Sequence, residues 1–317
     1  MLRIPCKGAA APFPVGIPDA DEISERIMAI FLKILLPIVA FAAIVFANPL
    51  PTHLPAASPM DRAKEDLSRV VYPSTRKIRW QPLFIRPQDT LESLFGDDWE
   101  YVARFNRIDR RHVYPGMTIK VPDDIAAIRN YNPLPRIYEP ARNYDRYILI
   151  DMEEQWLGAY EYGELKFSIP AATGKPGHET PTGIFRADAR HRNHTSSLYR
   201  VEDQSAQYPM DYAIRFHVGP DNVAYWIHAR DLPGRPASHG CVGVYDEAMQ
   251  NRMFKYPEKP KLIDSKRLYD WAVGDGVYEG PDSGDLELLE DGPVVEVRGR
   301  NPIYLSEPPG QSARRKG

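Results

Sequence analysis

A thiol at Cys241 follows His228 by thirteen positions and His239 by two, within the run Ala237-Ser238-His239-Gly240-Cys241-Val242-Gly243-Val244. A cysteine becomes a nucleophile when a neighbouring base or positive field favours its thiolate, and imidazole is the usual base. His228 closes what reads as a strand and can face the thiol across residues 230–237. His239 shares a face with Cys241 only if the stretch is extended. Gly240 lets the backbone turn, so that its N–H and that of Cys241 could converge as an oxyanion hole. Zinc is a competing chemistry, but the spacing His228, His239, Cys241 fits no common zinc pattern and a second thiol is missing. A merely structural role for Ser-His-Gly-Cys is the third reading. No metal and no cofactor is implied: the glycines of residues 174–183 lack the spacing and the Lys-Ser/Thr of a phosphate-binding loop.

The only other cysteine, Cys6, precedes a hydrophobic segment, residues 27–47, that is apolar apart from Lys33 and carries an unbroken 14-residue apolar run from Ile34. That run suits a signal-peptide core better than a full bilayer span of about 20 residues. Arg3, Lys7, Arg26 and Lys33 lie before or early in the segment and the next cation is Arg62, a bias that places the C-terminal body outside the cytoplasm. The pattern fits either a cleaved signal or a retained inner-membrane anchor, with the body in the periplasm or cell envelope. Export would leave Cys241 a solitary thiol in an oxidising compartment, which favours a chemical use for it.

The elements that must position this thiol follow from the punctuation of the chain. Residues 1–26 form an N-terminal extension without periodicity, and 48–75 a Pro-containing spacer. Residues 76–124 read as a strand, two helices and a strand: Asp89 is a good N-cap, Leu91, Leu94 and Phe95 have helical spacing, Trp99, Val102 and Phe105 share a second helical face, and Tyr114-Pro115-Gly116 turns into Thr118–Val121. A second connector, 125–144, precedes a strand-rich stretch, 145–300, and 301–317 is a tail. Within 145–300 the strands are expected at Tyr147–Asp151, Trp156–Tyr160, Leu165–Pro170, Gly183–Ala187, Tyr212–Val218, Val223–Ala229 and Pro293–Val297, with Asp246 capping a helix and another helix around Lys266–Val273. His191, His194, Ser196 and Ser197 fall in a polar connection, and His217 reads as a packed or surface residue.

Residues 78–122 resemble the LysM module in their Asp89-Thr90-Leu91 opening, central Asn106 and Pro115-Gly116-x-x-Ile119-x-Val121-Pro122 close, although Arg86-Pro87-Gln88 stands where the family usually has a glycine before the Asp. That resemblance implies a small α+β module binding N-acetylglucosamine-containing glycan strands, with Asp89, Thr90 and Asn106 as candidate contacts. Residues 145–300 resemble the YkuD-type L,D-transpeptidase catalytic domain through Gly174-Lys175, Thr180-Pro181-x-Gly183, His194 with Ser196, Ile227-His228 and Ser238-His239-Gly240-Cys241. The resemblance implies a mainly β fold, a β-sandwich or mixed sheet with few helices. It makes Cys241 the nucleophile on a peptidoglycan stem peptide and His228 the general base oriented by a backbone carbonyl. Ser238 and His239 would shape the site, N–H groups around Gly240 and Cys241 would hold the oxyanion, and Thr180, Gly183, His194 and Ser196 would line the substrate path. Two residues after the cysteine the family commonly has Arg or Asn. This chain has Gly243, which makes Arg230 and Arg235 candidate substitutes.

A formal charge of −3 over 317 residues offers no basic field for nucleic acid. The two resemblances imply peptidoglycan stem peptides and glycan strands as partners, with the membrane added if the N-terminal segment is retained. Transfer to an acceptor amine, transfer to water as an L,D-carboxypeptidase, and a catalytically degenerate wall-binding protein are the three outcomes to separate.

Overall fold

The computed structural model describes residues 66–302 except 202, 279 and 280. The expected export or anchor segment at 27–47 lies outside the described residues, as do residues 1–26 and most of the spacer and tail. Among the described residues no helix is long and apolar enough to cross a membrane.

The first elements are β1 (Trp80–Phe84), α1 (Leu91–Phe95), α2 (Trp99–Asn106) and β2 (Thr118–Pro122). β1 and β2 pair antiparallel, Trp80 opposite Pro122 and Phe84 opposite Thr118. The cap of α1 is Thr90 rather than Asp89: Thr90 Oγ1 accepts from the Ser93 N–H and Ser93 Oγ from the Thr90 N–H, a reciprocal capping box. Asp89 closes the turn before it, accepting from the Arg86 N–H at 2.8 Å. That turn takes Gln88 to φ 76°, a conformation glycine adopts with least cost.

The second part is mainly β, a ten-stranded mixed sheet in the order β13-β7-β10-β11-β12-β5-β4-β3-β14-β6. Its strands are β3 (Tyr147–Asp151), β4 (Trp156–Glu161), β5 (Glu164–Ala172), β6 (Gly183–Arg186), β7 (Ala189–His191), β10 (Ala213–Val218), β11 (Ala224–Arg230), β12 (Val242–Tyr245), β13 (Leu286–Leu288) and β14 (Val294–Arg298). The sheet curls until Phe185 of β6 meets Phe216 of β10, ring centres 5.6 Å apart. Ile148, Ile150, Leu157, Ile169, Ile214, Ile227, Val242, Val244, Val295 and Val297 fill the inside of the curl. Helix α4 (Asp264–Val273) presents Leu268, Tyr269, Ala272 and Val273 to that core, and α3 (Glu247–Phe254) is capped by Asp246, whose carboxylate accepts from the Met249 N–H. The connection expected around His194 and Ser196 is instead a two-stranded flap, β8 (Thr195–Arg200) with β9 (Gln207–Pro209). Its side chains are mostly exposed, with Leu198 and Tyr199 among them and Ser196 alone of β8 buried, and so give no alternating pattern to read.

Residues 66–124 do not hang from the sheet on a tether. Leu67, Val70, Tyr72, Trp99, Phe105 and Ile108 share one core with Ala172, Leu232, Tyr245 and Leu262 of the strand-rich part. Arg107 is fully buried, stacked 4.0 Å over the Tyr72 ring, and donates to the Glu154 carbonyl at 3.0 Å. Arg110 reaches the buried Glu247 carboxylate with Nε at 2.8 Å and Nη2 at 2.5 Å. The connector is also paired: Ile137 bridges Glu164, and the Tyr138 N–H donates to the Gly163 carbonyl at 2.8 Å.

Candidate active site

Cys241 stands immediately before β12, and β12 runs parallel to β11 with Ile227 beside Val242, His228 beside Gly243 and Arg230 beside Tyr245. His228 is therefore inside β11, two residues short of its end, rather than at its terminus. Side chains alternate along β11. Ile227 and Ala229 enter the protein interior, while Trp226, His228 and Arg230 face the other way and line a cavity of about 570 Å³ together with Cys241, Ser238 and His239. Laterally adjacent residues of parallel strands share a face, so Cys241 and Gly243 belong to the same wall as His228. The flap covers the cavity with Ser196, Leu198, Tyr199 and Tyr208.

His228 is 3% exposed, and its Nδ1 lies 2.7 Å from the Ala229 carbonyl oxygen. A carbonyl only accepts, so Nδ1 carries the proton and Nε2 is left as the basic nitrogen. Burial, reinforced by the Arg230 charge, lowers its pKa to about 3, so the ring is neutral near neutral pH. Burial also pushes the Cys241 thiol up, with the Trp226 backbone and the Arg230 charge opposing. The resting pair is thus a neutral thiol and a neutral imidazole. A neutral pair is chemically suited to general-base transfer of a thiol proton during attack rather than to holding a standing thiolate.

The turn that offers the thiol is closed by Ser238. Its hydroxyl donates to the Cys241 carbonyl at 2.5 Å and accepts from the Gly240 N–H at 3.0 Å. The Gly240 N–H is thereby engaged, so the expected convergence of the Gly240 and Cys241 N–H groups on one substrate oxygen is not what this turn displays. Gly240 itself has φ 118°, and a Cβ there would fall 2.6 Å from the Tyr225 ring, two independent reasons for glycine. Ser238 is anchored in turn, its N–H donating to the Thr173 carbonyl and its own carbonyl accepting from the Lys175 N–H.

His239 is exposed and turned away from a basic role. Its Nε2 is 3.0 Å from Lys175 Nζ, and its ring stacks on Tyr199 of the flap at 4.2 Å and meets His178 edge-on. Partial desolvation among Tyr199, His178 and Lys175, and then the Lys175 charge, lower its pKa to about 4. It joins the 174–180 loop to the flap. Of the other residues named from the sequence, His194 lines the cavity, packed on Trp226 at 4.5 Å with Nδ1 3.0 Å from that of His191; burial first and His191 second lower its pKa to about 4. Ser196 also lines it and accepts from the Leu198 and Tyr199 N–H groups, shaping the flap. Thr180 is buried and accepts from the Gly174 N–H at 3.0 Å, which folds the loop under His239. Gly183, beside Val297, and Arg235 lie outside the cavity lining, whereas Arg230 is inside it. Asn106 is buried in the first part, where its amide donates to the Val102 and Lys120 carbonyls and its oxygen accepts from the Lys120 N–H. Asp89 and Thr90 hold the α1 turn at the surface. Trp226, Tyr199, Tyr225 and Tyr208 were not singled out by sequence. Trp226 was legible as the residue two before His228 on an alternating strand, while the tyrosines reach the cavity only through tertiary folding.

Residues 145–278 match the family model of the YkuD L,D-transpeptidase catalytic domain. Solved structures similar to this chain include an L,D-transpeptidase from Stackebrandtia nassauensis (21% identity, TM-score 0.33, covering 53% of this chain and 60% of that one). Others are an L,D-transpeptidase from Mycobacterium smegmatis (17%, TM-score 0.32, 49% and 59%) and L,D-transpeptidase 1 of Mycobacterium tuberculosis (18%, TM-score 0.30, 49% and 62%). The chain spans 59% to 62% of the length of these structures. Comparison with curated proteins finds no match.

Proposed function

We propose that this chain, with an L,D-transpeptidase catalytic domain at 145–278, is a cysteine acyltransferase of peptidoglycan. The observation that carries the reading is Cys241 and His228 on one wall of one cavity, with His228 Nδ1 committed to the Ala229 carbonyl and Nε2 left to act. In the proposed reaction Cys241 Sγ attacks the carbonyl of the stem peptide's diamino acid at its L-centre while His228 Nε2 takes the thiol proton. The tetrahedral species collapses, the C–N bond to the terminal D-alanine breaks, and the imidazolium returns its proton to the leaving amine. An acceptor amine then attacks the thioester, giving a new amide and restoring the thiol. The loop that Ser238 closes keeps the nucleophile in place through both halves.

The reading extends to the cell envelope as the site of action, reached through residues 27–47, and to residues 76–124 as a LysM-like module for glycan strands. Asp89 and Thr90 remain surface contacts in that reading; Asn106 contributes through the fold of the module.

Intact-mass measurement after incubation with a carbapenem tests the acyl-enzyme. One adduct is expected on the natural sequence and none on C241A. H228Q is expected to acylate slower by roughly 100-fold or more. Muropeptide digestion products then separate outcomes: cross-linked dimers support transpeptidation, trimmed stems would make the enzyme a carboxypeptidase, and binding without product would overturn the catalytic reading.

A further inference from the structure

Gly243 and Arg230 are fitted to each other. A Cβ built on Gly243 would lie 2.4 Å from Arg230 Cδ, 2.5 Å from its Cβ and 2.9 Å from its Cγ. The aliphatic stem of Arg230 therefore lies flat across the bare backbone of β12, in the volume that any side chain at 243 would take. Arg230 lines the same cavity as Cys241 and His228.

That guanidinium is under-used by the protein. Nη2 donates to the Ala237 carbonyl at 3.1 Å, while Nε is buried and has no hydrogen-bond partner. The nearest carboxylate, Asp231, is 3.8 Å from Nε. Asp231 is already shared by Arg111 at 3.2 Å, His112 Nε2 at 3.2 Å and the Tyr208 hydroxyl. A guanidinium with a buried, unmatched Nε, on a residue that lines the proposed acyl-transfer cavity, is suited to a carboxylate. The other charged residues in the lining are Arg200 of the flap and Asp221 of the turn before β11, neither of them on the wall with the thiol.

We infer that Arg230 binds a carboxylate of the donor peptide, and that Gly243 is the residue whose absent side chain admits it. This rests on the proposed reaction at Cys241, since the peptide is the donor of that reaction. Two carboxylates of such a donor have the right chemistry, that of the departing C-terminal residue and the second one a diamino acid carries.

The test separates binding from catalysis by using C241A, which cannot form the acyl-enzyme. Donor tetrapeptide is titrated into C241A and C241A/R230M by calorimetry, alongside two analogues, each with one of the carboxylates converted to an amide. Methionine keeps an unbranched stem over Gly243 and removes the charge. R230M is expected to weaken the free-acid donor roughly 10- to 100-fold, the range of a charged hydrogen bond. Against the analogue lacking the relevant carboxylate it should change affinity less than about twofold, which also identifies the carboxylate. Placing arginine on the other strand, R230G/G243R, is expected to restore most of the preference for the free acid, whereas G243R alone displaces the stem and loses it. Equal weakening of all three peptides by R230M, or no weakening, would overturn the inference, as would absence of donor binding to C241A. Failure of the natural sequence to form a carbapenem adduct would instead overturn the reaction and leave this binding result to stand by itself.

Discussion

What surrounds His228, more than the imidazole itself, sets where it titrates. Free in water it titrates near 6.5; buried on β11 it stays neutral down to about pH 3. A lowered histidine pKa has a definite sign in stability. Above pH 6.5 the ring is neutral in both folded and unfolded chains and contributes nothing to the slope. Between 6.5 and about 3 the unfolded chain binds a proton that the folded chain does not, so stability falls as pH falls, by up to about 1.4 kcal/mol per pH unit for this one site. H228Q is expected to lower that slope by close to one proton between pH 5.5 and 4, read from urea unfolding at stepped pH. An unchanged slope would mean that the ring is hydrated and charged in the folded protein.

At the scale of elements, the site is made by a parallel pair of strands whose register sets His228 beside Gly243 and brings Cys241 to the same wall. A slip of one residue would turn His228 into the core and Ile227 into the cavity. The module at 76–124 depends on an equally local device. Asn106 at the end of α2 holds both backbone groups of Lys120 on β2 and the Val102 carbonyl. N106A leaves those buried groups without partners and is expected to cost about 2–4 kcal/mol, seen as a lower urea midpoint with near-unchanged m-value. If N106A instead kept full stability and lost only binding to peptidoglycan, the amide would be a glycan contact and not a pin.

Across the whole described molecule, the module and the catalytic sheet share one core and are joined by buried charge. The Glu247 side chain is fully buried, with Arg110 on one oxygen at 2.5 Å and the Lys261 and Leu262 N–H groups on it as well. Removing one member of such a pair strands the other, so R110M is expected to destabilise by about 3–5 kcal/mol, and R110M/E247M to recover much of it. Denaturant melts of the two variants check this; equal stability of R110M and the natural sequence would mean that the module and sheet separate without cost.

The sequence by itself determined most of the sheet and the residues on which the proposed chemistry rests. A solitary thiol after Ser-His-Gly, a histidine on an alternating strand before it, and period-two runs bounded by Gly, Pro and Asp are local signals, set by covalent neighbours and side-chain alternation. Thr90 taking the cap from Asp89 is a one-residue shift within the same local logic. The resemblance had already singled out His228 over His239; tertiary structure supplied the surroundings that separate them, His228 buried against the Ala229 carbonyl and His239 held by Lys175 and Tyr199. Tertiary structure alone engaged the Gly240 N–H, paired the flap strands, fused the module to the sheet through Arg107 and Arg110, and laid Arg230 over Gly243. Each of these depends on groups distant in sequence meeting in a shared low-dielectric space, where desolvation and exact fit outweigh the preferences of any single segment.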